Sequence, residues 1–257
     1  MIVAALDTAT LRLSCALVDL ASGAPPRLRC EKIEVAPAKA KAGSPGSGGH
    51  SKALPQALVD LLRVEGLAIP DVEGYAVGLG PGSFTGLRIG LATWKGLAYA
   101  NRRPIVGGSS LAAMALAAAP DAEEGALLVP LLDARKGEVY AGFYRAREGG
   151  LVEIADDAAL GPQALAARVE ALAAEGARPL VFGEGLDAYA AALSELPRLS
   201  TEVSSPPAVA VAGVVAERLA TASYDQQALF ALEPRYVRAS EAELKFPKGF
   251  GPGAGER

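Results

Sequence analysis

Cysteine and histidine are nearly missing from this 257-residue chain: it has two cysteines, Cys15 and Cys30, and one histidine, His50. Two thiols in strand-like surroundings provide no disulfide framework and fit a reducing compartment. A single imidazole excludes the two-histidine zinc and iron motifs, and the residue four places after His50 is Leu54. Positive charge is not in excess either. Twenty-five Lys and Arg stand against 29 Asp and Glu, a net charge of −4, with an isoelectric point near 5.3. Such a chain does not hold nucleic acid by bulk charge, and any RNA contact needs a local basic patch or a partner. No apolar run reaches about 18 residues free of charged and turn residues, so no membrane span is expected. The opening MIVAALDTAT shows no basic leader before a long apolar run, so no signal peptide is expected. Phosphate-loop spacing is also absent. Gly-x-x-x-x-Gly-Lys-Ser/Thr does not occur, and Gly-x-Gly-x-x-Gly does not fit glycines 78, 80, 82 and 86.

What the chain does have is apolar content for a core, 51% of residues, enough for one large domain or two modest ones. Its centre is residues 74–101, GYAVGLGPGSFTGLRIGLATWKGLAYAN. Tyr75 to Leu79 has the length of a buried strand, and Gly80-Pro81-Gly82 stops it in a tight turn. Ser83 and Thr85 offer hydroxyls that can cap the nearly uncharged helix that follows. Strand, glycine turn and helix start in this order can point backbone N–H groups at an anion. The same glycines equally suit a helix packed tightly on a strand. Along the helix Leu87, Leu91, Trp94 and Ala98 share one face, while Ile89, Gly96 and Ala100 lie elsewhere round it. A helix apolar on more than one side must be buried more than once, by its own chain or by another.

Before this centre, Ile2 to Leu6, Leu13 to Val18 and Leu28 to Val35 read as an antiparallel meander. The first strand ends at Asp7, and Thr8-Ala9-Thr10 makes the turn. A carboxylate and hydroxyls at a first hairpin can hold a nucleotide's phosphates and metal, although Asp in a turn is more often turn chemistry. The phase change between Cys30 and Ile33 suggests a bulge or an edge. Residues 36–49 are low in complexity and read as a mobile surface loop. From about Ser51 a helix places Leu54, Leu58, Leu61 and Leu62 in one stripe.

After the centre come a short strand at Ile105 to Val106 and a helix capped by Ser109 or Ser110, running to Ala118. Residues 120–125 are the best boundary. Beyond it LLDARKGEVYAGFY echoes ALDTATLRLSCALV: an apolar strand, an aspartate (Asp133 or Asp7), a polar turn, then an alternating strand. The repeated order suggests two related lobes. A helix at about 161–174, a strand at Pro179 to Phe182, a helix at 186–193 and a last long helix opened by Pro206 or Pro207 complete the pattern. The segment EPRYVRASEAELKFPK is locally basic at Arg235, Arg238, Lys245 and Lys248.

GLGPGSFTGLRIG at 78–90, DTAT at 7–10, GHSKALPQAL at 49–58, LLDARKGEVY at 131–140 and EPRYVR at 233–238 together resemble the TsaB family. That family is the dimerisation subunit of the bacterial tRNA threonylcarbamoyladenosine synthase. The resemblance runs from residue 1 to about 248. It implies an α/β, two-lobed actin-like and Hsp70-like (ASKHA) fold, each lobe a mixed sheet with flanking helices. Residues 1–120 would form the first lobe and 121–257 the second. The helix at 207–220 is a candidate to pack back on the first lobe, with a flexible tail from about 247.

It also implies a subunit without chemistry of its own, cytoplasmic and without cofactor or metal. Its partners would be TsaD, a longer paralogue that transfers the threonylcarbamoyl group to the adenosine following the anticodon, and TsaE, an ATPase. tRNA would be met only through the complex, and the chain alone would form a homodimer. The paralogue's metal site needs paired histidines four apart, which this chain cannot supply. In the family the helices at about 51–65 and 87–101 form a helical bundle with the paralogue. That carries the partner interface onto Leu54, Leu58, Leu61, Leu62, Leu87, Leu91, Trp94 and Ala98. Asp7, Thr8, Thr10 and Asp133 remain as weak nucleotide candidates, because FGEGLD at 182–187 replaces the Gly-Gly pair that usually holds adenosine. An independent small-molecule kinase or ATPase using Asp7 and Asp133 is the rival reading. A metallopeptidase is the weakest.

Overall fold

The computed structural model describes residues 1–35, 49–148 and 150–238, with side chains of the first helix described from Leu54 onward. The 36–49 loop (save Gly49), His50's side chain, Lys245, Lys248 and the tail from 247 lie outside the described residues.

The first sheet has five strands. β1 (Ile2–Asp7), β2 (Arg12–Asp19) and β3 (Arg27–Val35) form the meander, and β4 (Gly74–Gly78) and β5 (Ile105–Gly108) add to it in the order β3-β2-β1-β4-β5. β1 is antiparallel to β2 and parallel to β4. β3 is the outer strand, which is the edge its change of phase suggested; its one register shift, at Leu17/Val18, falls at Arg29, and Cys30 to Ile33 pair regularly with Leu17 to Ser14. The second sheet joins β6 (Leu127–Arg135), β7 (Glu138–Arg147), β8 (Gly150–Leu160) and β9 (Pro179–Phe182) in the order β8-β7-β6-β9. β6 is antiparallel to β7 and parallel to β9. Each lobe is thus built on the same unit, a central strand with an aspartate at or near its end, between an antiparallel hairpin partner and a parallel neighbour.

β8 escapes sequence reading because Asp156-Asp157 interrupts its alternation, and its pairing with β7 is irregular near Phe143. The helix expected at 186–193 is one turn, α5 (Gly185–Ala188), followed by turns. Glu184 at its start makes no side-chain cap, and Gly183 before it holds φ +107°. A short helix, α7 (Gln226–Ala231), capped by Asp225, was not anticipated.

Helices cover both faces of the first sheet, as alternation along β1 requires. Ala4 and Leu6 face α1 (Gly49–Val64) and α2 (Phe84–Asn101). Val3 and Ala5 face α6 (Ala208–Thr221), whose Ala208, Val211, Ala212, Val215 and Leu219 are buried there. The last long helix therefore belongs to the core of the first lobe. α3 (Ser110–Ala118) lies between the lobes: Leu111, Met114 and Ala115 pack with Leu128, Leu132, Tyr144 and Phe182 of the second sheet. α4 (Pro162–Ala174) covers the far face of that sheet through Leu165, Val169 and Leu172.

Candidate functional site: a closed nucleotide position and an outward helix face

Asp7 ends β1, and the turn after it brings Thr8 and Thr10 beside it. All three are buried. The Ala9 N–H donates to Asp7 Oδ1 at 2.7 Å, and the Ser110 hydroxyl donates to Oδ2 at 2.6 Å. Ser110 Oγ in turn accepts from the Gly80 N–H at 3.1 Å. Burial pushes the Asp7 carboxyl up from 3.8 to about 6, and the Ser110 and Ala9 bonds oppose this. Thr10 Oγ1 accepts from the Arg12 N–H at 3.0 Å, and Thr8 Oγ1 is buried with no hydrogen-bond partner.

The central glycines explain this closure. A side chain at Gly78 would collide with the Asp7 carboxylate, at Gly82 with the Ala9 carbonyl, at Gly86 with the Thr8 carbonyl and at Gly90 with Thr8 Oγ1. Four glycines therefore let the start of α2 close directly onto the first hairpin. Ser83 fixes that start: its N–H donates to the Ala9 carbonyl at 2.6 Å, and its hydroxyl caps the helix by accepting from the Gly86 N–H. Of the two readings of the glycine turn, tight packing is the one the geometry supports. Asp133 is more open, with 17% of its side chain exposed. It accepts from the Arg135 N–H at 2.8 Å and pairs with the Arg135 guanidinium at 3.1 Å. Leu111 and Met114 pack at the seam between the lobes. Asp7, Thr8 and Thr10 thus share the first hairpin, and Asp133 lies at the corresponding turn of the second sheet. Among the described residues no group of three His, Cys, Asp or Glu could hold a metal ion.

The eight side chains expected to meet a partner are all inside the chain. Leu54, Leu58, Leu61, Leu62, Leu91, Trp94 and Ala98 pack under the first sheet, and Leu87 sits at the lobe seam with Ala9 and Leu111. Trp94 is fully buried, its Nε1–H donates to the Ala4 carbonyl at 3.0 Å, and it meets Tyr75 edge-on at 6.2 Å. This corrects the expectation of an open leucine face. A helical stripe marks the buried side, and here the sheet is what buries it. The surface of these two helices comes from the intervening positions: Val59 on α1, and Arg88, Ala92, Gly96, Tyr99 and Ala100 on α2, all exposed. A Cβ at Gly96 would meet nothing within 4 Å.

A second cluster went unseen in the sequence. Asp157 of β8 is buried at the seam, where it accepts from the Tyr144 hydroxyl at 2.6 Å and the Ser109 hydroxyl at 2.8 Å. Burial raises its pKa, with those bonds and Arg235 opposing. The Arg235 guanidinium lies 3.8 Å away, and the Arg235 backbone N–H donates to the Leu79 carbonyl at 2.7 Å. Arg238 pairs with Glu138 at 2.9 Å. The EPRYVR segment thus ties the first sheet to the second lobe. Only its basic character was legible beforehand, because its partners are over 70 residues away.

Two mixed sheets with a repeated topology and flanking helices define an actin-like two-lobed (ASKHA) fold. Comparison with known proteins agrees. A family model described as TsaD, tRNA N6-adenosine threonylcarbamoyltransferase, matches residues 46–246. The tRNA threonylcarbamoyladenosine biosynthesis protein TsaB of Escherichia coli is 36% identical over 128 residues, 49% of this chain and 54% of that one. Its Bacillus subtilis namesake is 37% identical over 108 residues, 42% and 46% of the two chains. The matches span about half the length of these curated relatives. A Pseudomonas aeruginosa structure, titled as an uncharacterized protein with similarity to peptidase YeaZ, superposes with a TM-score of 0.72 at 30% identity. It covers 92% of this chain and 99% of that one. The chain belongs to the family that the TsaD model describes and, within it, to the TsaB proteins.

Proposed function

We propose that this chain is a non-catalytic subunit required for threonylcarbamoyl modification of the adenosine following the anticodon in tRNA. It binds and activates TsaD and contributes to the surface that recruits TsaE. It works in the cytoplasm, meets tRNA only within the complex and self-pairs in isolation. The family relationship supports the pathway. The burial of Asp7 supports the absence of chemistry: the residue is 1% exposed, one oxygen accepts from the Ala9 N–H and the other from the Ser110 hydroxyl, so both are already engaged inside the protein.

The pairing face assigned here is the outward side of α1 and α2, centred on Val59, Ala92 and Gly96. Small residues at 92, 96 and 100 let a second helix come close. Association of this kind typically covers about 1,600 Å² in total. A mixture of tRNA, TsaD, TsaE and the threonylcarbamoyl donor, with this chain present or omitted, tests the reading by nucleoside analysis of the tRNA. Modification is expected only when the chain is present, and full-rate modification without it overturns the proposal.

A further inference from the structure

Beside α2 the segment from Phe230 to Tyr236 leaves an open groove of about 400 Å³. Leu91 and Leu232 line it apolarly, and Arg88 and Lys95 of α2 bring two positive charges to it. Arg88 is fixed in place. Its guanidinium lies 3.8 Å from the centre of the Phe84 ring, its Nε–H donates to the Tyr236 hydroxyl at 2.9 Å, and the two rings are 5.2 Å apart. Yet it has no carboxylate partner among the described residues, so its terminal N–H groups stay open. Lys95 donates to the Phe230 carbonyl at 2.9 Å. Partial burial lowers its pKa, with Glu233 opposing. Phe230, 59% exposed, and Tyr99 form a second ring pair at 5.7 Å.

A guanidinium held rigidly by neutral groups is prepared for a carboxylate, which it can bind bidentately at low entropic cost. Glu233 also lines the groove, and Arg88 and Lys95 still leave it with a net positive charge in a chain whose overall charge is −4. We propose that this groove receives an acidic amphipathic segment of the partner subunit. A carboxylate would bond to Arg88, a second would lie near Lys95, and an apolar side chain between them would rest on Leu91 and Leu232. The proposal rests on the pairing function above and extends the docking surface from helix–helix contact to the C-terminal segment. RNA fits less well, because the Glu233 carboxylate leaves little net positive charge for a phosphate backbone.

The test is titration calorimetry of the full chain with TsaD at 50 and 300 mM salt, using wild type, Arg88→Ala, Lys95→Glu and, as a comparator on α1, Val59→Asp. Thermal melts check each variant's fold. Arg88→Ala is expected to weaken binding tenfold or more at low salt and to flatten the salt dependence, with Lys95→Glu at least as damaging. Unchanged affinity in both, while Val59→Asp loses binding, overturns the groove assignment and leaves the pairing reading standing. Failure of wild type to bind TsaD overturns both. Loss of tRNA binding in Arg88→Ala at unchanged TsaD affinity overturns the protein-segment assignment in favour of RNA.

Discussion

Asp7 is a carboxylate buried in the first hairpin with both oxygens bonded inside the protein. Its proton affinity is set by burial, and the consequence for stability has a definite sign. Below pH 3.8 the group is protonated in the folded and unfolded chain alike, and its favourable contribution is fully present. Between 3.8 and about 6 the unfolded chain ionises first, so stability falls as pH rises and levels off beyond the folded value. A gap of that size corresponds to about 3 kcal/mol. Asp7→Asn cannot titrate. The stability difference between wild type and Asp7→Asn, from urea unfolding at pH 3.5 to 7, is therefore expected to shift against wild type by that order. A flat difference would mean that the carboxylate is hydrated. Asp157 and Glu184, also raised by burial, act in the same direction and cancel in this comparison.

Within α2, glycines of one type carry opposite consequences. At Gly86 an added methyl meets the Thr8 carbonyl, which belongs to backbone and cannot step aside. Gly86→Ala is expected to destabilise by about 1–3 kcal/mol through overpacking. At Gly96, in the same helix, the methyl meets open space, so Gly96→Ala is expected to stabilise the isolated chain by about 1 kcal/mol through helix propensity. If the outward face pairs as proposed, the same change weakens association with TsaD, and stability and affinity move apart. Denaturant melts and calorimetry on both variants check this. Trp94 belongs to the other side of the helix. Trp94→Ala is expected to cost about 3–5 kcal/mol, because it empties the core beneath β1 and β4 and leaves the Ala4 carbonyl without its donor. A charge at Leu91 or Trp94 therefore disrupts the fold itself, and Val59 and Ala92 are the positions at which pairing can be probed without doing so.

Across the whole molecule, the lobes are interlocked. α6 is contributed after the second lobe but covers Val3, Ala5, Val18 and Ala76 of the first. The segment from Arg235 to Arg238 crosses back over the seam to Asp157 and Glu138. A fragment of residues 1–120 leaves that apolar sheet face bare. It is expected to bind a hydrophobic dye and lack a cooperative melt, and a sharp transition matching that of the full chain would contradict this packing. The buried and internally bonded Asp7 carboxyl predicts no heat on titration of magnesium ATP to millimolar concentration.

Much of the architecture was readable locally. The apolar run of β1, the cap at Ser83, the helix start at Ser109 and the echo of the first hairpin at 127–140 depend on residues close in sequence, and local pattern reports them faithfully. Asp157 in β8, one-turn α5 and short α7 did not announce themselves, since their stability comes from neighbours far along the chain. For the helix faces, the stripe of Leu54, Leu58, Leu61 and Leu62 determined that one side is buried. It was silent on what covers that side, because hydrophobicity has no direction and no address. Only the assembled sheet decided that these leucines face inward, that glycines 82, 86 and 90 close the first hairpin, and that Arg88 is held open beside Tyr236. Those are juxtapositions of segments up to 148 residues apart, made by packing.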